Sequence, residues 1–139
     1  QKAQFVTDTT AIYNYLNTNS ITGTIKAPSG LRYQITNAGT GTPPDFFDRV
    51  KISYTATLLS NGDQVLNGSG QPAENFDSWV INYLHAFQIP LKNLGEGGRA
   101  TIYAPSGMAF GDTQVNTGAT TIPANSVLIF ELQLLDVVN

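Results

Sequence analysis

Val50, Ile52, Tyr54, Ala56 and Leu58 alternate strictly with Arg49, Lys51, Ser53, Thr55 and Thr57. A period of two sustained over this length demands an extended strand with one apolar and one polar face, because successive side chains point to opposite sides. The pattern returns near the C-terminal end, where Leu128, Phe130, Leu132 and Leu134 alternate with Ile129, Glu131 and Gln133. Strands of this kind belong to a sheet whose apolar side is covered by another element. Shorter runs supply further strands. Leu31, Tyr33 and Ile35 alternate with Arg32, Gln34 and Thr36, and Ala100, Ile102 and Ala104 with Arg99, Thr101 and Tyr103. Residues 76–81 are apolar and strand-like. Asn61-Gly62 is a hairpin signal, since both residues tolerate positive φ, and Val65-Leu66 would open the return strand.

A short helix is expected within residues 84–94, with Pro90 tolerated only in its first turn. A second, amphipathic helix is expected over residues 7–19. Thr7 or Asp8 would cap it, and Ala11, Ile12, Tyr15 and Leu16 would share one face. Residues 20–28 read as a polar linker, residues 39–45, with Pro43 and Pro44, as a loop, and residues 95–98 as a turn. The sum is an α+β arrangement: a twisted antiparallel sheet wrapped around one short helix, preceded by a short N-terminal helix.

A chain of 139 residues fits one domain of this kind. Charged residues make up 12% of it, about half the ~25% typical of globular proteins. Asn, Thr, Ser and Gly carry the surface polarity instead. The net charge of −3 offers nothing to nucleic acid or to an anionic membrane surface. No apolar run approaches the roughly 20 residues of a membrane span. The absence of cysteine excludes disulfides, thiol catalysis and thiolate metal sites within the chain. The first residue, Gln1, fits a removed secretion signal and fits an arbitrary start equally well.

The segment from Pro105 to Glu131 is the most specific. It reads Pro105-Ser106-Gly107-Met108-Ala109-Phe110-Gly111, then a polar loop, then Thr121-Ile122-Pro123-Ala124-Asn125-Ser126-Val127-Leu128-Ile129-Phe130-Glu131. Pro105 ends a strand, having no N–H for a ladder. A turn then presents Met108 and Phe110, and Ile122-Pro123 returns the chain to its last strand. This pattern resembles the FKBP-type peptidyl-prolyl isomerases, in which a Pro-Ser-x-x-Ala-Tyr-Gly turn and an Ile-Pro-Pro-Asn return wall an apolar proline pocket. Ser29-Gly30-Leu31-x-Tyr33 and Val50-x-Ile52-x-Tyr54-Thr55 extend the resemblance over roughly residues 29–138. The helix before Ser29 is similar to an extra N-terminal element of secreted bacterial members. The resemblance therefore implies an N-terminal helix and linker over residues 1–28 and an isomerase domain over residues 29–139. It also implies an extracytoplasmic location, periplasmic or lipid-anchored in a bacterial envelope.

Carried over residue by residue, the family's catalytic positions fall on Tyr54, Phe87, Phe110 and Phe130, and its substrate-binding positions on Val65, Leu66, Phe76, Tyr83, Leu84 and Ile122. Phe87 takes the floor position, usually Trp, and the backbone N–H of Leu84 is expected to grip a substrate carbonyl. No metal or cofactor is implied. The chemistry is conformational. Rotation about an X–Pro bond must break amide resonance, a barrier of ~18–20 kcal/mol, and takes roughly tens to hundreds of seconds unaided. An apolar pocket disfavours the charge-separated planar amide relative to the twisted one, so it binds the transition state better than the ground state. The expected partners are proline-containing peptides and unfolded proteins, with macrolide inhibitors bound weakly, and a monomer is expected.

Three positions depart from the family. Val65-Leu66 replaces a Phe-Asp pair, so a buried acid is missing unless a slip of one residue puts Asn67 there. Phe110 replaces the Tyr that donates to a substrate carbonyl, and Ala124 replaces a second Pro. These changes keep open a second reading, a catalytically weak or inactive FKBP-like module that binds peptides or proteins. Other residues read as ordinary. His85 reads as a surface or satisfied histidine, Trp79 as packing, Asp45 and Asp48 as turn residues, and Glu96 as solvated. Met108 fits the pocket rim and plain packing equally. Asn67-Gly68-Ser69 matches a glycosylation sequon that is common by chance. The glycines of residues 95–98 follow a helix rather than open one, which makes a poor phosphate cradle.

Overall fold

The computed structural model describes residues 2–26, 30–45, 47–60, 62, 64–67, 76–79, 85–109, 111, 114–116 and 121–138. The strands are β1 (Ile25–Lys26), β2 (Arg32–Asn37), β3 (Arg49–Leu58), β4 (Gln64–Asn67), β5 (Phe76–Trp79), β6 (Arg99–Ala104), β7 (Val115–Asn116), β8 (Thr121–Ile122) and β9 (Leu128–Val138). The helices are α1 (Lys2–Thr18) and α2 (His85–Leu91), and a single 3-10 turn spans Ser106–Met108. The main sheet runs β1-β2-β6-β9-β3, and β4 and β5 pair successive halves of the far edge of β3. All these pairings are antiparallel. β7 and β8 form a separate two-stranded ladder.

The two alternating runs become β3 and β9, and they pair along their whole length from Arg49↔Val138 to Leu58↔Leu128. Their apolar rows face the same way. Val50, Ile52, Ala56, Leu128, Phe130, Leu132 and Leu134 are buried in one cluster with Ala100, Ile102 and Ala104 of β6 and Leu31 and Tyr33 at β2. Helix α2 covers this inner face through Ala86, Phe87, Leu91 and the following Leu94. The sheet is thus closed on one side by a short helix.

The outer face is covered at one end by α1. Ile12 and Leu16 are buried against Tyr103 of β6, with Tyr15, Ile21, Leu59, Val127 and Ile129 around them. The helix begins at Lys2 rather than at residue 7. The weak helix formers Thr7, Asp8, Thr9 and Thr10 mark no boundary, because tertiary contacts override their propensity. Asp8 is therefore not a cap. It lies inside α1, only 2% exposed, one turn before Ile12 on the face that packs. Phe5 holds the same stretch from the other side. A Cβ on Gly30, at φ +87, would stand 2.7 Å from the Phe5 ring, so this contact exists only because residue 30 is glycine. The C-terminus closes on Ser20 at φ 55, with Ile21 N–H donating to Leu16 O at 2.9 Å and Ser20 N–H to Asn17 O at 3.2 Å.

Three further expectations need correction. The polar linker contains β1, which extends the sheet through Ile25↔Tyr33 and Lys26↔Arg32. Pro90 sits in the last turn of α2, not the first. The helix is so short that the N–H missing at Pro90 is felt only at its end, where the chain tightens through Asn93 N–H to Pro90 O at 2.9 Å and Leu94 N–H to Leu91 O at 3.2 Å. Glu96 is exposed, but it is not merely solvated. Its carboxylate accepts Val137 N–H at 3.2 Å, and its backbone exchanges two bonds with Thr40 at 2.9 and 3.0 Å. Asp45 and Asp48 serve the turn as expected, with Asp45 N–H donating to Asp48 Oδ2 at 2.9 Å.

Candidate functional site

Three aromatic residues from three elements meet on the inner face. Tyr54 comes from β3, Phe130 from β9 and Phe87 from α2. The rings of Phe87 and Phe130 lie 4.8 Å apart at 84°, those of Tyr54 and Phe87 5.1 Å at 60°, and those of Tyr54 and Phe130 6.1 Å at 66°. All three contacts are edge-to-face, the arrangement the ring quadrupole favours. Local sequence explains the placement. Phe130 occupies the inner row of β9, opposite Ala56 of β3 and Ile102 of β6. Tyr54 pairs with Leu132, on the same inner row. Phe87 lies one turn before Leu91, so both fall on the sheet-facing side of α2.

Phe87 and Phe130 are buried, whereas Tyr54 is only half-buried. The cluster therefore has one ring that reaches toward solvent. Burial pushes the Tyr54 hydroxyl above its ordinary value of 10.0, so it is a neutral phenol across the physiological range. The outer-face Tyr103 is also raised, first by burial, then by Tyr15 and Glu131.

Of the residues expected to line the pocket, Tyr54, Phe87, Phe130 and Ile122 share one inner cluster. Ile122 of β8 is fully buried in the same inner cluster, and Met108 and Ala109 pack half-buried against it. Met108 thus has a packing role. The backbone of β4 places Leu66 opposite Ala56 and Asn67 opposite Thr55, with Val65 at a bulge. The backbone of β5 places Phe76 opposite Ile52. The side chains of Val65, Leu66, Phe76, Trp79 and His85 lie outside the described residues, as do Tyr83, Leu84 and Phe110 altogether.

The sequence reading missed one buried polar contact, between α1 and the turn after β6. Asp8 Oδ2 accepts the backbone N–H of Ser106 at 2.9 Å and its hydroxyl, and Gln4 Nε2 donates to Oδ1 at 2.7 Å. A carboxylate four residues before Ile12 on an apolar face was its only trace in the sequence.

A family model described as FKBP-type peptidyl-prolyl cis-trans isomerase matches residues 40–135. The chain is 33% identical over 125 residues to the FKBP-type peptidyl-prolyl cis-trans isomerase FkpA of Buchnera aphidicola, covering 88% of this chain and 48% of that protein. It is 32% identical over 117 residues to the outer membrane protein MIP of Legionella longbeachae, covering 83% of this chain and 47% of that protein. The crystal structure of FkpA from Escherichia coli superposes with a TM-score of 0.74 at 27% identity, covering 98% of this chain and 63% of that one. The chain thus spans about half the length of the curated relatives it matches. With the aromatic cluster on the inner face of an antiparallel sheet and a family match across most of its length, the chain belongs to the FKBP-type peptidyl-prolyl cis-trans isomerase family.

Proposed function

We propose that this chain accelerates cis–trans rotation of X–Pro bonds in polypeptides and so assists protein folding. The observation that carries the reading is the edge-to-face cluster of Tyr54, Phe87 and Phe130 on the inner face, in a member of this family. Phe87 forms the floor for the prolyl ring. Phe130 and Tyr54 are walls, with Ile122 at the flank. Val65, Leu66, Phe76, Tyr83, Leu84 and Phe110 complete the lining. The pocket removes the planar amide from water and favours the twisted one, with no covalent step. Proline-containing peptides and unfolded chains are the substrates, and carbonyl-rich macrolides are weak competitors.

In this reading residues 29–139 form the isomerase domain and residues 1–28 its N-terminal helix and connection. The likeness to a relative named as an outer membrane protein supports an extracytoplasmic location. Among the described residues no helix is long and apolar enough to cross a membrane.

A protease-coupled turnover assay on an Ala-x-Pro-Phe peptide tests the proposal. Acceleration above the spontaneous rate is expected. Folded protein that leaves the rate unchanged would refute the isomerase reading. Leu66 stands where the family has an acid and Phe110 where it has a tyrosine that donates to a substrate carbonyl, so Leu66→Asp and Phe110→Tyr are each expected to raise turnover in the same assay. A gain from Asn67→Asp but not from Leu66→Asp would move the lining by one residue.

A further inference from the structure

Asp8 is buried to 2% exposure, yet it belongs to a helix on the face of the sheet opposite the aromatic cluster. Both of its oxygens are engaged. Oδ1 takes Gln4 Nε2, and Oδ2 takes the N–H and hydroxyl of Ser106, 98 residues away in sequence. Burying a carboxylate is costly unless it is hydrogen-bonded, so this contact has one favourable geometry and resists sliding. An apolar contact would not impose that.

Ser106 is also 2% exposed, and its own carbonyl is the hub of the next turn. Ser106 O accepts Ala109 N–H at 3.0 Å and Gly111 N–H at 2.7 Å. Gly111 O in turn accepts Asn125 N–H at 2.8 Å. Asn125 holds a positive φ of 60, the left-handed state that asparagine adopts more readily than most non-glycine residues. An unbroken series of bonds therefore runs from Asp8, through Ser106 and Gly111, to Asn125. The first turn carries Met108 and Ala109, which pack against the inner cluster, and the loop that holds Asn125 follows directly on Ile122 of β8, which is buried in it.

We propose that Asp8 is a positioning residue for the prolyl pocket: from the outer face it fixes the turn after β6 and, through Gly111, the loop after β8. This inference rests on the isomerase reading for its functional consequence, but not for its structural one. Helix α1 is then part of the framework of the site. The contact acts on substrate fit rather than on the rotation itself, because Asp8 touches neither the aromatic rings nor the inner face.

The test compares Asp8→Asn and Ser106→Ala with Leu16→Ala in the full chain. Leu16 anchors the other end of α1 on Tyr103 without touching the series. Native-state hydrogen exchange is read at Gly111 and Asn125, relative to the centre of β9, and KM and kcat are read on the Ala-x-Pro-Phe peptide. Asp8→Asn and Ser106→Ala are expected to speed exchange at Gly111 and Asn125 by about tenfold or more, the equivalent of a lost hydrogen bond to a charged group. They are expected to raise KM with kcat little changed, the signature of weakened uniform binding. Leu16→Ala should lower the melting temperature while leaving both local exchange and KM as in wild type. If Asp8→Asn does not fold, Ser106→Ala carries the comparison, since it keeps the backbone N–H bond to Asp8. Exchange and KM that move equally in Leu16→Ala would overturn the proposal, because α1 would then act only as a cover. A wild type with no turnover would defeat the isomerase reading alone, and the exchange rates would still decide the clamp.

Discussion

On the inner face, α2 and the following Leu94 meet the sheet through the apolar side chains of Ala86, Phe87, Leu91 and Leu94. On the outer face, α1 meets it through Ile12 and Leu16 on Tyr103 and through a buried carboxylate on Ser106. Apolar burial is non-directional and scales with area. In the proposed reading the inner face takes up a prolyl ring through contacts of this non-directional kind. The outer contact is directional, because a buried carboxylate must keep its donors. One face is thus suited to receive a ligand and the other to hold a loop in register.

The largest test of this contrast is Phe87→Ala. Removing a ring that touches both Tyr54 and Phe130 should cost about 3–5 kcal/mol of stability, read by urea denaturation, and should abolish peptide binding in the fraction that folds. Unchanged peptide affinity in folded Phe87→Ala would remove Phe87 from the floor of the pocket. Ile12→Ala is its counterpart on the outer face. The expected cost is about 2–3 kcal/mol, at the low end for a buried aliphatic side chain because the outer cluster is small. The inner aromatic near-UV signal should survive that substitution under native conditions. Its loss would mean that the two faces are one cooperative unit.

These outcomes bear on what the sequence could reveal. The inner face was legible because it is periodic. Val50 to Leu58 and Leu128 to Leu134 announce a strand each, and the rows that read as apolar are buried apart from the half-buried Tyr54, while Ser53 of the polar row is buried as well. Phe87 and Phe130 were legible as a pair only through the family resemblance, since alternation by itself says core and not pocket. The outer face was less legible for a physical reason. Asp8 breaks the apolar stripe of α1, and a carboxylate next to Thr7 suggests a cap. Its partner lies 98 residues away, beyond the reach of any local rule. Pro90 misled in the other direction. Its preference for a first helical turn holds for helices long enough to have separate first and last turns, and α2 has seven residues.

Two tyrosines sharpen the comparison in solution. Both hydroxyls titrate above the ordinary 10.0, Tyr54 through burial and Tyr103 through burial followed by the charges of Tyr15 and Glu131. A raised folded-state pKa makes the unfolded chain lose its proton first. Stability is therefore full below pH 10 and falls as pH rises through the folded-state values. Titrations followed at the individual ring resonances of Tyr54 and Tyr103 should differ in their salt response. The charge-derived part of the Tyr103 shift should shrink with added salt. The Tyr54 shift should persist, because desolvation is not screened. Equal salt responses would mean that the two environments are not distinct in kind.

The smallest effect lies at the end of α1. Ser20 takes the left-handed position, φ 55, that closes the helix, a role glycine fills without a Cβ penalty. Ser20→Gly is expected to stabilise the protein by a few tenths to about 1 kcal/mol, with peptide turnover unchanged. A lower melting temperature in that variant would show that α1 ends differently in solution.

The most direct test of the central claim is a titration of the wild-type protein with an Ala-x-Pro-Phe peptide, followed by the ring resonances of Tyr54, Phe87 and Phe130 against those of Tyr15 and Tyr103. The expected result is saturable shifts at the three inner rings, with the two outer rings unmoved. Shifts confined to Tyr15 and Tyr103 would contradict the account, because the peptide would then be binding the face assigned to holding the loop.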